Sequence, residues 1–219
     1  MARKLKVLGI ALAAVFAMSV VATSAASATN FTAAAYPAVV SGTQTTTNIF
    51  TENGREFKCT TATFSGELTA ASETFTVIKT TASCSATVLG NVLPMTVTMN
   101  GCHTLYHVVS PGQTTIDYIC PFGQKVETHI YQNATKHAEG VSLCTITINA
   151  QTGLSQLGTA AGTFEGKKDV TGSYNVKKIK YTVDGPAITC GASGEAATYT
   201  GSVTFSAKKA GLPVDFDIG

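Results

Sequence analysis

The sequence predicts an all-β protein, an antiparallel β-sandwich stapled by three disulfide bonds, and three observations lead to this. After residue 30, apolar residues recur with the two-residue period of a strand and not with the helical period. Runs rich in Thr, Val, Ile, Phe and Tyr are separated by Gly, Asn, Ser and Pro, which is typical of short strands joined by turns. All six cysteines lie beyond residue 28, and an even number is typical of a disulfide framework in an exported domain.

Residues 1–28 have the organisation of a secretory signal peptide. A basic start, an apolar run and a small-residue cleavage site follow one another, at Arg3 to Lys6, Val7 to Ala22 and Ala26-Ser27-Ala28. The apolar run is too short, and wrongly flanked, for a membrane span. We therefore expect cleavage after Ala28 and a secreted all-β domain of residues 29–219 in an oxidising environment.

The charge of this domain excludes some classes of partner. Of 15 basic residues three lie in the predicted signal peptide, so 12 basic and 13 acidic residues remain, a formal charge of −1. Such a chain lacks the basic footprint that nucleic acid requires and the attraction that anionic lipid requires. We expect an unknown protein or cell-envelope partner, no nucleic acid, and no membrane span after signal removal. The oligomeric state stays open.

Four segments alternate apolar and polar residues and are predicted to be half-buried strands. Their threonines occupy the outward positions and their apolar side chains the inward ones. The segments are Thr74–Ile78, Met95–Met99, Cys144–Ile148 and Tyr199–Phe205. The Gly-rich stretch from Gly153 to Gly166 is the least strand-like region and is predicted to be a long loop.

The clearest local structure is a hairpin from Cys102 to Cys120, with Ser110-Pro111-Gly112-Gln113 as its turn. Centring the hairpin on this turn places four pairs of residues opposite one another on a single face, which is expected to be buried. The pairs are Cys102 with Cys120, Thr104 with Tyr118, Tyr106 with Ile116, and Val108 with Thr114. Because directly opposite residues lie at bridging distance, the hairpin predicts a Cys102–Cys120 disulfide.

The other cysteines are assigned less directly, because six cysteines allow many pairings and the sequence alone does not select one. Cys59 and Cys84 are the natural local pair in the first part of the domain. This leaves Cys144 and Cys190 to close the last part. No pair has the C-x-x-C spacing of thiolate zinc or iron–sulfur sites.

Two segments share a weak internal similarity. Thr63–Thr69 and Thr198–Thr204 both read Thr, aromatic, Ser or Thr, Gly, any residue, aliphatic, Thr. A glycine within a strand often marks a bulge or a close backbone approach. One explanation of the similarity is that the domain consists of two related β lobes, at about residues 36–110 and 111–208. Convergent strand composition is the alternative explanation.

The outward face of the hairpin carries the candidate metal site. His103 and His107 share this face, and Asp117 lies diagonal to both in the predicted register. Two imidazoles and a carboxylate are suitable ligands for zinc, copper or iron. The competing interpretation is an exposed polar face on which the histidines pair weakly with the carboxylate. Leu105 lies between the two histidines and would have to stand aside for a metal ion. We expect no cofactor.

Signatures of catalysis are missing from the chain. There is no G-x-S-x-G elbow, and no tryptophan on which a sugar could stack. Tyrosines could take that place, but packing in the core or in turns is the stronger expectation for each of Tyr36, Tyr131, Tyr174 and Tyr199. We expect a non-catalytic protein that acts through its folded surface, extracellularly or at the cell surface. The alternative is a small-ligand or carbohydrate-binding module.

Short segments spread over the chain resemble a group of secreted, disulfide-containing, β-rich proteins of high-GC Gram-positive bacteria. These segments are Tyr36-Pro37-Ala38, Gly42–Asn48, Cys59–Leu68, Asn100-Gly101-Cys102, Cys120-Pro121 and Ala150–Leu154. The resemblance implies export, disulfide bonds and β structure. It brings no catalytic residues to this chain.

Overall fold

The computed structural model describes residues 30–110, 113–155, 159–164 and 167–218. The predicted signal peptide, residues 1–28, lies outside the described residues. Of the residues that the structure describes, 71% lie in strands and 5% in helices, and the strands pair antiparallel. The predicted all-β class is therefore confirmed.

The strands are numbered in chain order, and five of them are 14 residues or longer. The strands are β1 Phe31–Ala33, β2 Ala38–Glu52, β3 Arg55–Leu68, β4 Thr74–Val88, β5 Asn91–Thr98, β6 His103–Ser110, β7 Gln113–Ile119, β8 Val126–Ile130, β9 Cys144–Ile148, β10 Gln151–Ser155, β11 Thr159–Phe164, β12 Lys167–Asp184, β13 Gly194–Lys209, β14 Leu212–Val214 and β15 Phe216–Ile218. The short helices are α1 Ala134–Ala138 and α2 Ala187–Cys190. None of the helices in the described part of the chain is long and apolar enough to cross a membrane.

The five long strands form one continuous wall in the order β4-β3-β2-β13-β12. Three short strands connect the two ends of this wall. β5 pairs with the C-terminal end of β4, β8 pairs with β5 and β9, and β9 pairs with the C-terminal end of β12. The eight strands are thus hydrogen-bonded in a closed ring. The sandwich arrangement within the all-β class stays a prediction.

A second group of short strands, β6, β7 and β10, covers the other end of the long wall. β6 pairs with the N-terminal end of β4, and β7 pairs with both β6 and β10. The side chain of Gln151 on β10 then reaches β12, where it bonds both the backbone N–H and the carbonyl of Lys180 at 2.8 Å. Both groups of short strands therefore face the same long wall across the interior.

The predicted hairpin and its register are confirmed. β6 and β7 pair Thr104 with Tyr118, Tyr106 with Ile116, and Val108 with Thr114. Cys102 and Cys120 form a disulfide with their Cα atoms 4.1 Å apart. Cys59–Cys84 and Cys144–Cys190 form the other two disulfides, as predicted.

The long loop predicted from Gly153 to Gly166 is wrong over most of its length. β10 extends to Ser155, and β11 pairs with β12 at six consecutive positions, from Thr159 opposite Gly172 to Phe164 opposite Lys167. Backbone hydrogen bonding to the available edge of β12 stabilises this segment, whose alanines and glycine carry little strand signal of their own. Residues 156–158 and 165–166 lie outside the described part of the chain.

The strands of the two proposed lobes share one sheet. β2, from the first proposed lobe, pairs with β13, from the second, at ten positions from Thr198 opposite Thr51 to Lys208 opposite Val39. The proposed boundary at 110/111 falls inside the β6–β7 hairpin. Buried residues from both parts also belong to a single hydrophobic core.

One end of this core is a cluster of aromatic rings around Phe75. Its ring centroid lies 5.4 Å from that of Phe31, 6.1 Å from Phe216 and 6.3 Å from Phe205. Gly66 makes this packing possible, because a Cβ added there would lie 2.4 Å from the carbonyl oxygen of Thr76 and 2.6 Å from the Phe75 ring. The close approach predicted for this strand glycine is confirmed.

Replacing both Cys102 and Cys120 with serine is expected to lower the free energy of unfolding by roughly 3 kcal/mol, because the bridge closes a short loop in the unfolded chain. Chemical denaturation of the oxidised wild type and the double variant measures the difference. An unchanged unfolding midpoint at equal m-value would contradict a stabilising role for this bridge.

Candidate functional site

The interior contains a cavity between the long wall and both groups of short strands. Its volume is about 80 Å³, measured as the space open to the centre of a water molecule. On the order of five to eight waters fill such a space. Side chains from β2–β9, β12 and β13 line it, together with Met99. Most are apolar, among them Phe50, Phe57, Met95 and Val176.

Strand alternation places a lysine in this apolar lining. Along β4, Phe75 and Val77 are buried, while Ile78 is 57% exposed. Because alternate side chains of a strand share a face, Lys79 follows Phe75 and Val77 to the inside. Lys79 is half-buried and lines the cavity.

The ammonium group of Lys79 contacts a pair of stacked tyrosines. Its Nζ donates a hydrogen bond to the Tyr199 hydroxyl and lies 4.1 Å from the centroid of the Tyr199 ring. The Tyr174 ring stacks on Tyr199 with centroids 5.2 Å apart and planes inclined by 18°. Burial lowers the pKa of Lys79 from 10.5 to about 7.

The tyrosines continue into a chain of polar contacts across β2. The hydroxyl oxygens of Tyr174 and Tyr199 are 3.5 Å apart, and the Tyr174 hydroxyl donates to Asn48 Oδ1. Asn48 Nδ2 donates to Gln44 Oε1 at 2.7 Å, and Gln44 Nε2 donates to the backbone carbonyl of Cys59 at 3.0 Å. Each buried polar group in this chain thus has a partner, which reduces the cost of holding it away from water.

Gly201 provides the space for this polar chain. A Cβ added at position 201 would lie 2.2 Å from Asn48 Oδ1 and 2.5 Å from the Tyr174 hydroxyl. The close approach expected of the strand glycine in Thr198–Thr204 is therefore confirmed, and here the approaching atoms are polar.

The tyrosines that line the cavity keep their protons near neutral pH. Burial raises the pKa of Tyr174 to about 12, and it raises the pKa of Tyr106, Tyr118 and Tyr199 as well. The four phenols therefore act as neutral hydrogen-bonding groups around Lys79.

Thr81 adds an unsatisfied hydroxyl to the same face of β4. It follows Lys79 by two residues and also lines the cavity. Its Oγ1 is buried and has no hydrogen-bond partner among the described residues. A buried hydroxyl without a partner costs free energy.

The residues of the candidate metal site are only partly brought together. His107 Nε2 lies 2.9 Å from Asp117 Oδ2, and the backbone N–H of Gly153 donates to Asp117 Oδ1 at 2.6 Å. His103 lies opposite Ile119 in the ladder, four residues from His107 along β6. Within the described ranges, no three His, Cys, Asp or Glu side chains are placed to hold a metal ion. His107 and Asp117 form a half-exposed pair on the outward face of the hairpin.

A buried carboxylate lies outside the cavity. Glu52 is 1% exposed and accepts a hydrogen bond from the Tyr181 hydroxyl at 3.0 Å, while its Oε1 has no partner among the described residues. Burial raises the pKa of Glu52, and Tyr181 and Arg55 oppose this rise. These contacts link the end of β2 to β12 and are structural.

Sequence reasoning did not single out Lys79, Asn48, Tyr106 or Tyr118 as site residues. The sequence did contain a signal for Lys79. Extending the alternation of Thr74–Ile78 by one residue places this lysine on the apolar face of the strand. Of the tyrosines considered as sugar platforms, Tyr36 accepts a backbone hydrogen bond from Ala33, and Tyr131 stacks on His137.

Comparisons with protein-family models, curated proteins and solved structures find no match for this chain. The cavity is therefore interpreted from its own chemistry. Its distinguishing combination is an apolar lining, four neutral phenols and one lysine.

The stability of the protein is expected to depend on pH through Lys79. Because its pKa is about 7 in the folded protein and 10.5 when unperturbed, the unfolded chain binds the extra proton between these values. Stability then rises with pH across this window, and below pH 7 the burial cost is fully present. Replacing Lys79 with Met removes this dependence.

The measurement is the difference in unfolding free energy between wild type and K79M from pH 7 to 9.5, below the tyrosine range. The free energy of unfolding of the wild type is expected to rise relative to that of K79M as the pH rises. A difference that stays constant with pH would contradict the lowered pKa.

Replacing Gly201 with Ala is expected to destabilise the protein by about 1–3 kcal/mol, since the new methyl group displaces Asn48 or Tyr174. The control is Ser202→Ala on the same strand, which removes one exposed hydroxyl contact with Ser173 and is expected to cost less than about 0.5 kcal/mol. If thermal or chemical unfolding shows the same loss of unfolding free energy for both variants, the space beside Gly201 is not required by the fold.

Proposed function

We propose that this protein is exported and binds a small, largely apolar ligand in the interior cavity, without catalysing a reaction on it. The observation that carries the proposal is the cavity itself, an apolar interior space with a few convergent polar groups. Small-molecule binding sites share this combination of an apolar lining and a few orienting polar groups. At about 80 Å³, the cavity suits a compact molecule of about five to eight non-hydrogen atoms, such as a short branched chain.

The clustered tyrosines favour this function over action through the outer surface with a protein or cell-envelope partner. Tyr106, Tyr118, Tyr174 and Tyr199 all line the cavity. Tyrosines present an apolar ring and a hydrogen-bonding tip, which suits recognition of a compact ligand. On the outer surface, large exposed hydrophobic residues such as Val39, Leu89 and Phe122 come from separate parts of the chain.

The lining also supports a binding role over an enzymatic one. Among the lining residues, Lys79 is the single group that titrates near neutral pH. The four phenols have raised pKa values, and the lining contains no carboxylate or histidine. An acid–base mechanism needs two groups with suitable pKa values in reach of the substrate, and these residues supply one.

The three disulfide bonds support export. Cys59–Cys84, Cys102–Cys120 and Cys144–Cys190 are all bonded, and disulfides of this density persist in oxidising compartments. Together with the signal-peptide pattern of residues 1–28, this supports a ligand-binding protein that works outside the cell.

Filling the cavity is expected to abolish binding. In isothermal titration calorimetry with isobutyramide, a small neutral branched probe, the wild type is expected to bind with a Kd on the order of 1 mM. Val97 lines the cavity, so Val97→Phe is expected to weaken binding by roughly tenfold or more.

The matched control is Val92→Phe on the same strand, because Val92 is 73% exposed. It adds the same ring outside the cavity and is expected to bind like the wild type. Equal affinities for the probe in both variants would contradict binding in the interior.

A further inference from the structure

We propose that the ligand carries a carboxylate group and that the Lys79 side chain receives it inside the cavity. This inference rests on the proposed function, since it names the chemical class of the molecule that the cavity holds. The ligand class is a compact carboxylic acid with a small apolar body, such as a branched short-chain acid.

The first argument is the missing counter-charge. The cavity lining contains one lysine and no aspartate or glutamate. Buried lysines are ordinarily paired, because an isolated ammonium group away from water is costly. The residues around Lys79 satisfy it with a phenol and an aromatic ring, so an anion is the partner that it lacks.

The second argument is the number of unused hydrogen-bond donors. An ammonium group has three donors, and among the described residues the one hydrogen bond of Lys79 goes to the Tyr199 hydroxyl. A carboxylate has two oxygens that accept several hydrogen bonds, which matches the donors that Lys79 leaves unused.

The third argument concerns desolvation. Bringing a carboxylate into an apolar interior is favourable only when a charged partner compensates for its lost water. Lys79 is already held away from bulk water in the folded protein. The desolvation cost of its ammonium group therefore belongs to folding and does not reduce the affinity for the ligand. The rigid stack of Tyr174 on Tyr199 keeps the ammonium group in place, which lowers the ordering cost of binding.

The ion pair gives binding a defined pH dependence. The titratable groups that face Lys79 across the cavity are Tyr106 on β6, Tyr118 on β7, Tyr174 on β12 and Tyr199 on β13. Their raised pKa values keep all four neutral between pH 6 and 9. Over this range Lys79 alone changes charge, with a pKa of about 7 in the empty site, so the carboxylate binds more weakly as the pH rises.

The experiment compares two probes of the same shape, isobutyrate and isobutyramide, by isothermal titration calorimetry on the oxidised wild-type protein. At pH 6 isobutyrate is expected to bind roughly tenfold more tightly than the amide. At pH 9 this preference is expected to disappear, because Lys79 has lost its proton. The affinity for the amide is expected to stay the same at both pH values.

Two substitutions complete the test. Lys79→Met and Lys79→Gln both remove the charge, and Gln keeps a hydrogen-bond donor in case Met alters the packing. Each is expected to lose the preference for isobutyrate and to keep binding of the amide. Circular dichroism confirms that each variant is folded.

The outcomes separate this inference from the proposed function. If the wild type binds acid and amide equally at pH 6, or if both folded variants keep the preference, the carboxylate assignment is wrong and the small-ligand function stands. If the wild type binds neither probe at millimolar concentration, the proposed function fails and the carboxylate assignment fails with it.

Discussion

The pairing of β4 is the constraint on which the cavity and its lysine depend. β3 pairs along residues 78–86 of β4, while β6 and β5 pair with its two ends. A strand held by neighbours over its whole length cannot rotate, so its alternate side chains are committed to the interior. A slip of one residue would turn Ile78 inward and Lys79 outward, and would remove Phe75 from the aromatic cluster. The Cys59–Cys84 bond between β3 and β4 holds the same register covalently.

An interior that accepts a lysine gives up some stability to do so. Lys79, Asn48 and the stacked tyrosines occupy space that apolar side chains would fill at lower free energy. Two local features reduce the cost: hydrogen bonds link most of these groups to one another, and Gly201 leaves room for them. Thr81 is left without a hydrogen-bond partner among the described residues, which adds to this cost.

Local patterns predict much of this fold, and contacts between distant strands explain what they miss. The register of the β6–β7 hairpin and the Cys102–Cys120 bond follow from one turn and a period of two, so both are readable from residues 102–120. β11 is stabilised by the edge of β12 more than by its own small residues, and its sequence predicts a loop. The cavity requires β4, β12 and β13 to meet across the core. Alternation could place Lys79 on an apolar face, but could not show the space beside it.

A partly hollow interior also changes what holds the fold together. Side chains around a cavity lack packing partners on one side and forfeit part of their dispersion energy. Each disulfide involves at least one strand that lines this space: one links β3 to β4, one closes the β6–β7 hairpin, and one links β9 to α2. Such bridges stabilise the folded state by restricting the unfolded chain, without filling the interior. The covalent framework and the cavity therefore belong together, because bonds around the hollow supply stability that a fully packed core would otherwise provide.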